Sequence, residues 1–408
     1  MTEFVPADTL RARFSAAMSA MYREEVPLYA DLLAIVADVN ARSEADLASS
    51  DAARMAQERH GAIRVGTGAE LAQMRRLFAV MGMEPVGYYD LGAAGLPVHS
   101  TAFRPVTAAA LAANPFRVFC SLLRLDLIDE ADLRDTAAKA LASRRICSER
   151  LLDLMAMAEE RGGLGEEDAA AFLAEALEVF RWHAEAQVAG ADYARLHARH
   201  PLIADIVSFK GPHINHLTPR TVDIDAAQAE MIARGIDAKD RIEGPPRRKC
   251  PILLRQTSFK ALSETIRFAD GTGGAHTARF GEIEQRGAAL TPGGRELYDR
   301  CLAEAMAAGG DYEAALVAAF APFPDDWDAM REAGLAWFRD TPNGFEPLVW
   351  EDFLPVSAAG IFRSNLGDEA GEADASGGSQ AEFEQALGAP VADMFALYAA
   401  QADQPVAA

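Results

Sequence analysis

The chain has 408 residues and half of them are apolar, enough to bury one large core or two ordinary ones, which argues against extended disorder. Asp and Glu number 61 against 39 Lys and Arg, a formal net charge of −22, and no basic run is longer than PRRK at 246–249, so nucleic acid is an improbable partner. The cysteines Cys120, Cys147, Cys250 and Cys301 form no C-x-x-C pair, the start lacks a basic segment leading into an apolar one, and no window has the roughly 18 apolar residues of a membrane span; a cytoplasmic protein is expected.

Residues 1–57 read as N-terminal helices, with apolar residues at three-to-four spacing in LRARFSAAMSAMY and YADLLAIVADVNARS. The period then changes. ERHGAIRVG (58–66) reads as a strand, GAELAQMRRLFAVMG (68–82) as a helix closed by Gly82, and EPVGYYDL (84–91) and VHSTAFRPV (98–106) as strands, a β-α-β-β module over 58–106. Residues 107–205 are rich in Ala, Leu, Glu and Arg at helical spacing and are expected to be an all-helical insertion that covers the open side of the strand-bearing parts. The earlier pattern returns over 206–290: HINHLTPR (213–220) as a strand, VDIDAAQAEMIARG (222–235) as a helix, and DRIEGPP, PILLRQTSF and TARFGEIEQRG as three strands. Residues 291–408 read as a C-terminal helical region with a segment at 346–366 that closes a pocket, followed by an acidic Gly/Ser-rich stretch at 367–380.

Each module opens on the same spacing: HGAIR is His60-x-x-x-Arg64 and HLTPR is His216-x-x-x-Arg220. The pattern is weak alone, but its recurrence at the same point of two similar units points to a duplicated module. A strand alternates its side chains, so His60 shares a face with Arg64, His216 with Arg220, and Glu282 with Glu284. Two histidines and a carboxylate converging from such faces would form a facial triad with open positions, suited to Fe(II) and related divalent metals. His213 competes with His216, and Glu282 with Glu284; the duplication favours His216, while the carboxylates share one face. The bland alternatives are hydrogen-bonded core histidines and surface ion pairs. Four residues of strand cover roughly 13 Å at about 3.3 Å each, so the Arg64 guanidinium can stand several ångströms from a metal on His60, with room for a short diacid between them. GTGAEL (66–71) lacks the third glycine of a dinucleotide fingerprint.

HGAIR, VHSTAFRP, FKGPHINHLTPR, LLRQTSF, FGEIEQRG and EDFLPVSAAGIF, spread over about 54–366, resemble the blocks of the 2-oxoadipate dioxygenase/decarboxylase (hydroxyglutarate synthase) family of the vicinal oxygen chelate superfamily. The resemblance implies an α+β fold in which two β-α-β-β-type modules form a half-barrel, with a large helical insertion and flanking helices. It implies Fe(II) held by His60, His216 and Glu284, a substrate-binding Arg64, a Val356–Ser357 pair at the substrate, and Gln256 beside the metal. The implied partners are a small 2-oxo diacid and O2, and the implied reaction converts 2-oxoadipate and O2 to 2-hydroxyglutarate and CO2 in lysine breakdown. Another chelate-type metalloenzyme, such as an extradiol dioxygenase or an isomerase, and a non-catalytic metal or small-acid binding protein are the alternative readings.

Overall fold

The computed structural model describes residues 4–43, 49–354 and 377–404. Three helices, Ala7–Glu25, Pro27–Ser43 and Ser49–Gln57, precede the first strand. The first buries Leu10, Phe14, Met18, Met21 and Tyr22, the three-to-four spacing of its sequence turned into one apolar stripe. Strand β1 (Arg59–Val65) leads to a helix, Gly68–Val80, which starts where the Thr67 side chain accepts from the Glu70 amide. It stops at Gly82, whose φ of +67° is a conformation glycine adopts without strain. Strands β2 (Glu84–Asp90) and β3 (Val98–Arg104) follow as expected.

A further strand, β4 (Arg117–Leu123), lies inside the stretch expected to be wholly helical. All seven of its residues are buried. RVFCSLL therefore shows no polar alternation, and a strand buried on both faces cannot be told from a buried helix by period alone. The rest of that stretch is helical: Ala131–Ser143, Glu149–Arg161, Glu166–Phe180, Gly190–Arg199 and Pro201–Ser208, after a short Ala108–Ala113.

Among the described residues, strand β5 (His216–Pro219) is the only strand of the second half to join the first sheet, whose order is β2-β3-β4-β1-β5. The helix Ile224–Ala233 then leads to β6 (Leu254–Ser258), β7 (Ser263–Arg267), β8 (Gly273–Thr277) and β9 (Glu282–Arg286). β6 pairs with β9 and β7 with β8. Two expectations are corrected here. DRIEGPP forms no strand and meets β6 through a Glu243–Gln256 bridge and through Arg255 Nε donating to the Pro245 carbonyl at 3.1 Å, and TARFGEIEQRG divides between β8 and β9 because its two ends pair with different partners. Helices Pro292–Ala307, Tyr312–Ala319 and Trp327–Glu332, a hairpin of β10 (Phe338–Thr341) and β11 (Gly344–Pro347), and helices Gly377–Leu387 and Met394–Ala402 complete the described chain. Of the expected pocket-closing segment, the part beyond Leu354, with Val356 and Ser357, lies outside the described residues, as does 367–376 of the acidic stretch.

The first sheet separates two cores. Ile63, Val65, Val118 and Cys120 pack with the N-terminal helices and with Glu149–Arg161 and Glu166–Phe180, whereas Ala62, Ala102 and Phe119 pack with Leu196, Ile203 and Phe209 on the other side. A buried charge cluster fastens the C-terminal part to this sheet. Arg104 at the end of β3 donates from Nε and Nη2 to Asp352 at 2.7 and 2.9 Å, and Tyr398 donates to the same carboxylate at 2.7 Å. Asp352→Ala would leave a fully buried guanidinium without its anion. It should destabilise the fold by about 3–5 kcal/mol in urea titration, whereas a surface pair such as Arg331–Asp340 should cost less than about 1 kcal/mol.

Candidate metal centre

β1 and β5 run antiparallel with Gly61 opposite Leu217, so Arg59 faces Pro219 and Ala62 faces His216. A local two-fold through the Gly61–Leu217 pair carries His60 onto His216 and, three residues beyond it, Arg64 onto Arg220. The repeated H-x-x-x-R is the trace of this symmetry in the sequence. It sets the two histidines side by side and sends the two arginines to opposite ends. The rings lie edge to face with centroids 5.5 Å apart. β9 enters beside β5, held by the Thr221 amide donating to the Glu284 carbonyl at 2.8 Å, and brings Glu282 and Glu284 on one face. β6 adds Gln256, in register with Glu284.

His60, His216, Glu282 and Glu284 are all fully buried. Glu282 Oε1 lies 3.1 Å from His60 Nε2 and 3.9 Å from His216 Nε2, while Glu284 Oε2 lies 2.9 Å from His60 Nδ1. One ligand atom each from His60, His216 and Glu282 falls within 4.8 Å of the others. Glu282 Oε1 also accepts from Thr218 Oγ1 at 2.9 Å and Gln256 Nε2 at 2.7 Å, and Glu284 Oε1 accepts from Arg286 Nε at 2.9 Å. Among the described residues, no aligned hydrogen-bond partner meets either ring nitrogen of either histidine, nor Glu282 Oε2 or Glu284 Oε2. Buried polar atoms left in this state cost about 1–3 kcal/mol each, so a cluster of six marks a site built for a ligand.

Electrostatics divide the histidines. Burial pushes the His216 pKa down, aided by His60 and Arg64, which keeps its ring neutral with a lone pair to offer. Burial acts in the same sense on His60, but the carboxylates of Glu284 and Glu282 outweigh it and raise its pKa. Burial alone would raise Glu284, yet Arg286 and His60 hold it at about 2, so it is ionised at any working pH. Two histidines with carboxylate beside them suit a divalent metal. Phe353 meets His60 edge-on at 5.0 Å and Phe280 lies over His216 at 4.7 Å, giving the polar cluster apolar walls.

The structure thus brings together His60, His216, Gln256 and both candidate glutamates, and it sets His213 apart. Arg64 is neither exposed nor at the surface: it is buried, and its Nη1 donates to the buried Asp205 at 2.5 Å. Asp205 also lies 2.9 Å from His276 Nε2 and 3.2 Å from His213 Nε2. Sequence reasoning missed Asp205, although a single acid within the apolar turn PLIADIVS was a signal. It also missed Glu58, which accepts from Arg117 at 2.8 Å and Arg220 at 2.9 Å and lies 3.8 Å from Arg286, joining the ends of β1, β4, β5 and β9 beneath the site.

The family model described as 2-oxoadipate dioxygenase/decarboxylase matches residues 14–365. A Pseudomonas putida protein named 2-oxoadipate dioxygenase/decarboxylase is 55% identical over 441 residues, covering 97% of this chain and 95% of that one. The crystal structure of the hydroxyglutarate synthase from Pseudomonas putida in complex with 2-oxoadipate is 51% identical, with a TM-score of 0.91 over 99% of this chain and 97% of that one. A Ralstonia eutropha protein of the glyoxalase superfamily, 18% identical with a TM-score of 0.52 over 70% of this chain and 85% of that one, shares the fold.

Proposed function

Because the chain belongs to the 2-oxoadipate dioxygenase/decarboxylase family, we propose that it converts 2-oxoadipate and O2 to 2-hydroxyglutarate and CO2, using Fe(II) held by His60, His216 and Glu284. The observation that carries this reading is the buried pair of histidines beside two carboxylates, with six ligand-type atoms lacking aligned partners among the described residues. The stoichiometry balances: C1 of 2-oxoadipate leaves as CO2, one oxygen atom enters the carboxylate formed from C2, and the other enters the hydroxyl formed on C3. The family resemblance further implies a place in lysine breakdown, and the isolated cysteines favour a reducing, cytoplasmic setting.

When bound, Fe(II) supplies chelation of the 2-oxo acid and activation of O2. The residues supply the rest. His216 offers a neutral ring, and His60 must release any proton it holds between Glu284 and Glu282 before it can ligate. Glu284 stays ionised, its other oxygen held by Arg286, which itself donates from Nη1 to the Trp350 and Asp352 carbonyls at 2.8 Å each. These bonds bring the chain at Trp350 and Asp352 up to the centre. Phe353 and Phe280 exclude water from the ring faces, and Arg64 receives the distal carboxylate, which fixes the chain and hence the carbon that is hydroxylated.

Glu284 is the ligand carried by the FGEIEQRG motif, and Glu282, with Oε1 already taken by Thr218 and Gln256, lines the site beside it. Glu284→Gln should therefore lose bound iron, whereas Glu282→Gln should keep it and lose activity only in part. Iron retained by the first variant and lost from the second, read by elemental analysis, would exchange the two roles. The whole reading is tested by metal analysis with O2 uptake and product identification across 2-oxo acids. Stoichiometric O2 uptake and CO2 release with 2-oxoadipate are expected; turnover of catechols alone, or metal binding without turnover, would replace it.

A further inference from the structure

We propose that Asp205, braced by His276 and His213, is the positioning residue that holds Arg64 for the distal carboxylate of the substrate; the proposal rests on the reading of Arg64 given above. Arg64 and Asp205 are 6% and 4% exposed, and a guanidinium so buried needs an anion. Asp205 supplies it through Oδ2 at 2.5 Å, while Oδ1 faces the two imidazoles at 2.9 and 3.2 Å. The carboxylate therefore cannot turn to follow Arg64; Arg64 has to follow it. Burial opposes the charge of Asp205, but His213 and Arg64 more than offset this and hold its pKa well below the usual range, so the anion persists.

The brace is itself fixed. The Tyr193 hydroxyl lies 2.9 Å from His276 Nδ1, and Trp182 and Phe209 wall both rings, with centroids 4.7 and 5.8 Å from His213 and 5.9 and 4.6 Å from His276. Asp205 sits on Pro201–Ser208, a helix buried from Leu202 to Ser208. Arg144 Nη1 donates to the Ile206 and Phe209 carbonyls at that helix's C-terminal end, while its Nε and Nη2 hold Glu70 on the helix that follows β1. The brace and Arg64 are thereby tied to one rigid unit. Asp205, His213 and His276 also offer three ligand atoms within 4.8 Å of one another, but the Arg64 guanidinium already supplies the positive charge there, and a dication beside it would be repelled. This assigns His213, the first histidine of HINH, a task of its own, apart from the metal.

A residue acting through Arg64 should matter only for substrates that use Arg64. In the iron-loaded enzyme, Asp205→Ala should raise KM for 2-oxoadipate at least about fivefold and Asp205→Asn, which keeps one acceptor, by less, with kcat and iron content nearly unchanged. KM for 2-oxohexanoate, of equal length without the distal carboxylate, should shift by less than about twofold, and in an Arg64→Ala background Asp205→Asn should add less than about twofold for 2-oxoadipate. Equal shifts for both substrates, an undiminished effect in the Arg64→Ala background, or an unchanged KM for 2-oxoadipate would overturn the proposal. If Asp205→Ala does not fold, Asp205→Asn carries the same comparison. Should Arg64→Ala itself fail to distinguish the two substrates, the reading of Arg64 falls first, a result separable from the failure of Asp205 alone.

Discussion

His216→Ala and His60→Ala should each abolish iron retention and turnover, while His213→Ala should keep its iron. Each ligand histidine is buried with ring nitrogens that lack aligned partners among the described residues, so its loss removes one of three proposed ligands and no neighbouring side chain on β5 or β1 can replace it. The fold should survive, because the histidines take no aligned side-chain hydrogen bond that the sheet depends on. Circular dichroism and thermal unfolding should stay close to those of the parent protein, with iron per chain near zero by elemental analysis. The contrast with His213 is the sharp part. His213 faces Asp205 at 3.2 Å, and full iron in His216→Ala, or equal loss in His213→Ala, would assign the metal to the other histidine of HINH.

Arg64→Ala should lower kcat/KM for 2-oxoadipate at least about tenfold with iron unchanged, since charged hydrogen bonds are worth about 1.5–3 kcal/mol. Arg64→Lys should restore only part of this, because a point charge cannot reproduce a planar fork that must meet both Asp205 and a substrate carboxylate. A monocarboxylic 2-oxo acid should lose much less. Steady-state O2 uptake with both substrates reads the difference, and equal losses would move recognition of the distal carboxylate to Arg220, Gln256 or Ser357.

Much of the centre was legible because a strand leaves a simple mark. His60 and Arg64 on one face, the same spacing at His216 and Arg220, and the same-face glutamates of β9 all follow from a period of two, and the antiparallel pairing of β1 with β5 makes the recurrence a two-fold. The same period is why Glu282 and Glu284 could not be separated: two residues apart, they share a face. β4 was hidden because burial on both sides removes alternation. Asp205, His276 and Glu58 come from segments far apart in the chain, and only tertiary packing brings them to the arginines; the lone acid of PLIADIVS marks Asp205 as unusual, but no local pattern names its partners.

The order of strands in the first sheet has a consequence for how the protein is made. β1 lies between β4, which follows it after a helix and a hairpin, and β5, which follows only after the helices up to Ser208. Its edge toward β5 therefore stays unpaired on the ribosome until the chain has been synthesised past Pro219, and β9 arrives later still. Loop-closure entropy for such distant pairings must be met before any contact rewards it. The nascent chain thus passes through a stage in which His60 lies on the open edge of four of the five strands, a state prone to pairing with other chains and dependent on timely completion or on chaperones.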